Sequence, residues 1–373
     1  MSSRIADVPW LESFGIPSIF DPRLSLYKEW HDFAFFDRET KVFALLNFGI
    51  HGNPYDARRG YGAALAFVVD PRGKIHTSMK MIPLSELRVS PYSPDFHGSD
   101  LTVGYSQNSF RIRGPIGDIK VALDLPVVAP PVTIGQIGAE ILANREVTMD
   151  MMGAAEEMTR LWERWVELPR LEVEGRIVLD GTSYPVHTNS GYQDHEGGRF
   201  DWGSTAGWDI GVLFCDPDRR AEPAKVSFMF YRHGPSGESS YGGIIVKTRG
   251  GKDRYFGSES VKVTTSGQFS GERAFLPGVT GLLYPDYRPK IPETITYSAS
   301  SLSDRVDLSF TPRAVCTIVA SGISGEAETT FNEMFCDASV RVAIGGETYR
   351  TSIPCWFESV RPRGRLADDA HET

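Results

Sequence analysis

Short runs in which every second residue is apolar recur along this chain, separated by Gly, Pro and Asp. In KIHTSMKMI, Ile75, Thr77, Met79 and Met81 fall on one face of an extended segment. VFALLNFGI, ALAFVVD, SFRIRG, IKVALDL, RLEVEGRIVL, KVSFMFYRH, GGIIVKT, TITYSAS, RVDLSF and VRVAIGG read the same way. Hairpin turn signals close several of these runs: DPRGK at Asp70 to Lys74, LDGT at Leu179 to Thr182, RGGK at Arg249 to Lys252 and IGGE at Ile344 to Glu347. The pattern predicts an all-β chain of meandering antiparallel strands closed into barrels or sandwiches.

One segment departs from period two. VTMDMMGAAEEMTRLWERWVE spaces Met151, Ala155, Met158, Trp162 and Trp165 by alternating steps of four and three. That spacing predicts an amphipathic helix over about 148–167, ended by Leu168-Pro169 and followed by a strand carrying Leu171, Val173, Ile177 and Leu179 in period two. Its apolar stripe reads first as packing against the outside of a barrel, with gating of a ligand pocket as the alternative. LDLPVVAPPVTIGQIG reads as the loop before the helix, RPRGRLADDAHET as a frayed tail. No internal sequence repeat is visible.

At 373 residues the chain exceeds the usual span of one core, so two domains are expected. Hydrophobic residues make up 41% and charged residues 23%, which is too polar on average for membrane insertion. The net charge of −9, with Lys and Arg scattered, argues against a nucleic-acid partner. The opening MSSRIADVPWLESFG interrupts its apolar residues with Asp7 and Glu12 and does not read as a secretory signal, which sets a cytoplasmic expectation. Cys215, Cys316, Cys336 and Cys355 lack C-x-x-C spacing and mostly sit in or beside apolar runs, so they read as buried thiols.

The chemistry concentrates in GYQDHEGGRFDWG, residues 191 to 203, at the end of a strand or in the loop leaving it. LPRLEVEGRIVLDGTSYPVHTNSGYQDHEGG as a whole resembles the lipocalin-like family of carotenoid 1,2-hydratases, AttH-type proteins and fungal decalin-forming Diels–Alderases. Gly191, Tyr192, Asp194, His195 and Gly198 match its G-Y-x-D-H-x-W-G-like motif; Gly197 stands where the family usually has Trp, a wall that Phe200 or Trp202 would rebuild. KEWHDFAFFD resembles the family's E-W-W-Y-F-D opening strand, with Glu29 and Trp30 retained and His31 and Asp32 in place of the second Trp and the Tyr. The resemblance implies two lipocalin-like β-barrels side by side, one over about 10–203 with the helix inserted and one over 204–373, with an apolar polyene, polyketide or terpenoid-like ligand.

The expected function is a cofactor-independent enzyme that acts on such a molecule by cyclisation, isomerisation or hydration, and two chemistries fit these residues. Hydration of an alkene needs a carboxylic acid kept protonated in an apolar pocket, for which Asp194 is the candidate, with Tyr192 as its partner and His195 orienting acid or water. The H-x-W element of the hydratases is absent from this chain. A Diels–Alder cyclisation needs only a shaping pocket and one hydrogen bond to an activating carbonyl, from Tyr192, His195 or His31. Glu29, Trp30, His31, Asp32, Phe200 and Trp202 are expected to line the same cavity. Neither chemistry calls for a cofactor, and HEGG lacks the second histidine of a zinc helix, so no metal is expected. The alternatives are a non-catalytic carrier of a hydrophobic ligand, or a purely structural Asp-His pair.

Overall fold

Each hairpin turn found in the sequence folds as one. Asp180 and Gly181 take φ of 48° and 78°, and Gly345 and Gly346 take 55° and 89°, the left-handed pairs that two-residue hairpins require. At the DPRGK turn the Asp70 amide donates to the Lys74 carbonyl at 3.0 Å. These turns join long antiparallel strands in a computed structural model that describes residues 4–133, 162–202, 207–233, 239–276, 289–301, 304–321 and 328–362.

The described residues divide into two compact units, one containing 4–133 and 162–200 and the other 201–362. After a one-turn helix, α1 (Val8–Leu11), the described residues of the first unit form twelve strands: β1 (Tyr27–Phe36), β2 (Phe43–Gly52), β3 (Gly60–Val69), β4 (Ile75–Pro83), β5 (Arg88–Val89), β6 (Phe96–His97), β7 (Thr102–Ser106), β8 (Ser109–Ile116), β9 (Ile119–Pro126), β10 (Val132–Thr133), β11 (Trp162–Leu179) and β12 (Thr182–Arg199). They form one antiparallel sheet in the order β4-β3-β2-β1-β12-β11-β9-β8-β7-β6-β5, with β10 on β11. The sheet curls until the turn between β8 and β9 meets β4, where the Asp118 amide donates to Ser78 Oγ at 3.2 Å. Phe33, Phe35, Phe48, Phe110, Leu123 and Ile177 fill the concave side.

The second unit holds β13 (Trp208–Leu213), β14 (Lys225–His233), β15 (Ser239–Lys247), β16 (Asp253–Gly257), β17 (Val261–Ser266), β18 (Glu272–Leu276), β19 (Thr294–Ser301), β20 (Asp304–Ser321), β21 (Glu328–Ile344) and β22 (Glu347–Pro362). Their order is β16-β15-β14-β13-β22-β21-β20-β19-β17, with β18 parallel to β20. Each unit therefore pairs its first strand with its last and walks outward through hairpins on both sides. The two sheets share a topology that no sequence repeat announces. The four cysteines are free thiols, three of them buried.

Of the helix expected over 148–167, positions up to 161 lie outside the described residues, but Trp162 to Glu167 are the first residues of β11, hydrogen-bonded to β12 from Trp162↔Gly198 onward. Pro169 does not separate helix from strand. It lies inside β11, where the register with β12 slips between Leu168 and Leu171, the kind of irregularity that accommodates a residue without an N–H. Among the described residues, no helix is long and apolar enough to cross a membrane.

Candidate active site

The two motifs singled out in the sequence are hydrogen-bonded neighbours. Strand β1 carries YKEWHDFAFF, the C-terminal half of β12 carries GYQDHEGG, and they pair antiparallel with His31 opposite His195, Asp32 opposite Asp194 and Trp30 opposite Glu196. GYQDHEGG is thus not an open loop but ladder, flanked by β1 on one side and β11 on the other.

Because side chains alternate across a strand, the pleat sorts these residues onto two faces. Tyr27, Phe33 and Phe35 belong to the first unit's core, so Glu29 and His31, of the same parity, also point inward. Gly197, His195 and Gln193, paired with Glu29, His31 and Phe33, face inward with them. Lys28, Trp30 and Asp32, with Tyr192, Asp194 and Glu196, point to the opposite face. Adjacent residues Asp194 and His195 therefore cannot act on one atom from one side. Glu29, Trp30, His31 and Asp32 do approach the GYQDH segment, as expected, yet they do not line a single cavity.

The outward face carries a row of carboxyl groups. Asp194 on β12 lies between Asp32 on β1 and Glu167 on β11, all three buried. Asn47 on β2 extends the row, donating from Nδ2 to Asp32 Oδ1 at 2.8 Å. The Tyr192 hydroxyl donates to Asp194 Oδ2 at 3.2 Å. Burial, then the charges of Asp194, Glu167 and Glu196, push the Tyr192 hydroxyl well above the usual tyrosine range, so it remains a neutral donor. Trp30 stacks on His51, with ring centroids 6.3 Å apart. Burial pushes the His51 imidazole down to about 4, with the Lys28 charge adding to the effect. Lys28 Nζ lies 4.2 Å from the centroid of Phe200 and donates to the Phe200 carbonyl.

The inward face carries a different group. Glu29 accepts from the Gly15 amide at 2.8 Å, the Tyr27 hydroxyl at 2.5 Å and His195 Nε2 at 2.8 Å. The His31 and His195 rings stack 3.9 Å apart, and Phe14 meets His31 edge-on at 5.0 Å. Glu12, at the end of α1, projects into this group: its Oε2 accepts from Gln193 Nε2 at 2.8 Å and lies 3.5 Å from the Nδ1 atoms of both histidines. Burial holds the His195 imidazole below the usual histidine range, and the neighbouring His31 adds to the effect, against the opposing pull of Glu29 and Glu12. In the sequence Glu12 reads only as an interruption of an apolar run, because the segment before β1 has no periodicity to place it. Gly197, where the family motif has Trp, faces inward against Glu29; a Cβ there would lie 2.9 Å from Glu29 Cγ, so the missing side chain is what leaves room for the carboxylate.

Trp202 does not join either group. It belongs to the second unit, edge-on to Phe331 at 4.8 Å and 6.5 Å from Trp208. The second unit's own seam, β13–β22–β21, carries Glu358 opposite Glu333. Trp208 Nε1 donates to Glu358 at 2.5 Å, and Trp356 Nε1 donates to Glu333 at 2.7 Å. Burial raises the Glu358 carboxyl above the usual range.

Solved structures carry the same fold over nearly their whole length. An AttH-type protein from Nitrosomonas europaea superposes with a TM-score of 0.60 at 14% identity, over 93% of this chain and 96% of that one. Kievitone hydratase from Nectria haematococca gives 0.56 at 13% identity, over 95% and 97%. CghA with Sch210972 gives 0.56 at 12% identity, over 96% of each chain. This chain has their two-domain lipocalin-like architecture. No family model matches the sequence, and no curated protein matches it. At such identities the likeness carries the fold alone.

Proposed function

We propose that this protein is an enzyme that binds a large apolar polyene or terpenoid-like molecule and hydrates or cyclises it by proton transfer from Asp194. One observation carries the reading: Asp194, fully buried, sits between two further buried carboxyl groups, Asp32 and Glu167, one on each neighbouring strand. Directly opposed side chains on paired strands lie about 4.5–5.5 Å apart at Cβ. Burial and like charge both disfavour ionising the middle group, which is how a carboxyl group keeps its proton near neutral pH. Such a group can protonate an alkene carbon. The π electrons form the new C–H bond, a tertiary cation is left, and Asp194 becomes a carboxylate stabilised by the Tyr192 hydroxyl. The cation is captured by water, which loses a proton to regenerate the acid, or by a second alkene of the same substrate, which closes a ring. Trp30 supplies an aromatic face of the kind that stabilises positive charge.

The name of one structural neighbour, kievitone hydratase, supports enzymatic hydration over simple carriage of a ligand, and the resemblance of GYQDH and EWHD to a family that includes decalin-forming Diels–Alderases supports cyclisation. A pericyclic cyclisation is the second reading, favoured by Tyr192 remaining a neutral hydrogen-bond donor that can polarise a carbonyl. Turnover in heavy water separates the two. Solvent extracts of the purified protein are first searched by mass spectrometry for a bound apolar molecule, and a panel of polyenes is then incubated in D₂O. Proton-initiated chemistry places one deuterium on a product carbon, whereas a pericyclic product carries none. Binding without any conversion would leave a carrier, and neither extracted ligand nor binding across the panel would sink all three readings.

A further inference from the structure

We infer that Glu12, His31 and His195 form a structural binding site for a divalent metal ion of the zinc class, which pins the N-terminal segment to the inward face of the first sheet. All three residues are buried, and each offers one ligand atom within 4.8 Å of the other two. Both Oε2–Nδ1 separations are 3.5 Å. Two ligands bound tetrahedrally at about 2.0–2.1 Å lie about 3.3 Å apart, so the spacing is that of ligands around a small ion.

The surroundings of His195 point the same way. Its Nε2–H is committed to Glu29 at 2.8 Å, which leaves the lone pair on Nδ1. That Nδ1 is fully buried, aims at Glu12 and has no hydrogen-bond partner. A bare lone pair facing a carboxylate oxygen in the interior is unfavourable unless a cation, whether a metal ion or a proton, lies between them. A histidine held by a carboxylate through one nitrogen with the other nitrogen free is the usual arrangement of a metal ligand, and here Glu29 is fixed in turn by the Gly15 amide and the Tyr27 hydroxyl.

Gln193 supplies the fourth position. Its amide nitrogen stands 2.8 Å from Glu12 Oε2 and 3.1 Å from His31 Nδ1, while its Oε1 is buried without a hydrogen-bond partner. A half-turn of the amide exchanges the two atoms and presents the oxygen to the ion. Four protein ligands and no opening make the site structural rather than catalytic. An ion bound through both Nδ1 atoms lies in both ring planes, so the imidazoles, now 15° from parallel, must splay on binding, with Phe14 the ring against which His31 turns. Because Glu12 arrives on the segment before β1, the site closes only when that segment docks. Metal binding and docking are then one event.

The test uses the full-length chain without a histidine tag. Elemental analysis of the purified protein should find about one zinc equivalent per chain. After chelation, titration with Co²⁺ should give the strong visible absorption of tetrahedral cobalt, saturating at one equivalent, and added zinc should raise the melting temperature. Glu12→Gln and His195→Gln should each abolish the cobalt spectrum and the zinc-dependent rise, while His76→Gln on β4 should keep both. Should the variants fail to fold, the cobalt titration of the unaltered chain still decides. Chelated protein that remains folded by circular dichroism yet binds neither zinc nor cobalt overturns the proposal. So does undiminished binding by a folded Glu12→Gln, His195→Gln double variant.

Discussion

The two units are built on one strand order, and they use the equivalent seam differently. In the second unit the inward side around that seam is aromatic: Phe228, Tyr297, Phe310 and Phe357 pack ring to ring with centroids 5.1 to 6.2 Å apart. In the first unit the inward side of β1 and β12 holds Glu29, His31, Gln193 and His195, and Glu12 reaches in from outside the sheet. The outward faces also differ. Glu333 and Glu358 each receive an indole N–H, whereas Asp194 has a carboxyl group on either flank. The backbone of a lipocalin-like sheet thus dictates where side chains meet across a seam, and the residue types decide whether the meeting place is packing or chemistry.

The sharpest way to break this comparison is to remove one acid from each seam. Asp194→Asn keeps the shape and the Tyr192 contact but not the transferable proton, so turnover should fall by roughly 10²–10⁴, the usual worth of a general acid. Glu358→Gln should leave turnover within a few-fold. Steady-state rates of both variants on the substrate found by extraction decide the matter. Equal losses would mean that the second unit shares the chemistry.

Much of this arrangement could be read before any fold was known. The period-two runs and the turns at Asp70, Asp180, Arg249 and Ile344 predict strands and hairpins correctly because local backbone preference and burial agree there. The GYQDHEGG stretch reads as a strand end or loop because glycines imitate a turn. Here Gly191 and Gly197 instead make room, the first for Val173, the second for Glu29. The division of Asp194 from His195 follows from the pleat, yet becomes visible only once GYQDH is known to be ladder. Glu12 and the cross-sheet meeting of His31 with His195 are long-range facts, set by which strands pair, and no spacing along the chain encodes them. Trp162 and Trp165 fit a helical step as well as they fit a strand with a register slip, so periodicity alone could not choose.

The next largest effect should come from the aromatic seam. Phe357→Ala in the second unit removes a fully buried ring from a four-ring cluster and should cost about 3–5 kcal/mol in urea-induced unfolding. Metal binding and Asp194-dependent turnover should survive in whatever fraction stays folded. A loss below about 1 kcal/mol would mean that the second unit is not held together by that cluster.

Gly197→Ala should act more mildly and on the first unit. The added Cβ meets Glu29 Cγ at 2.9 Å, so the carboxylate must retreat from His195, the Gly15 amide or the Tyr27 hydroxyl. Overpacking of this kind costs about 1–3 kcal/mol. Hydrogen exchange should quicken at the Gly15 amide first. An unchanged exchange rate there would show that Glu29 has slack and that the glycine is not needed for it.

The smallest predicted effect is a pH dependence confined to the first unit. His51 is pushed down to about 4 in the folded state by burial and by Lys28, against about 6.5 in the unfolded chain. Between those values the unfolded state holds the extra proton, so stability rises with pH through that window. His51's contribution is fully present above about pH 6.5 and is lost as pH falls toward 4. A fully buried imidazole would lose about 2 kcal/mol by pH 5; the ring is only half-buried, so about 1 kcal/mol is expected. His51→Gln titrates in neither state and should remove that part of the slope. Unfolding of both proteins in urea at about pH 7 and about pH 5, followed by hydrogen exchange on β1 and β2, measures it. If the two proteins lose equal stability on acidification, His51 is already protonated at neutral pH or already solvated, and the acid sensitivity of the first unit belongs to another group.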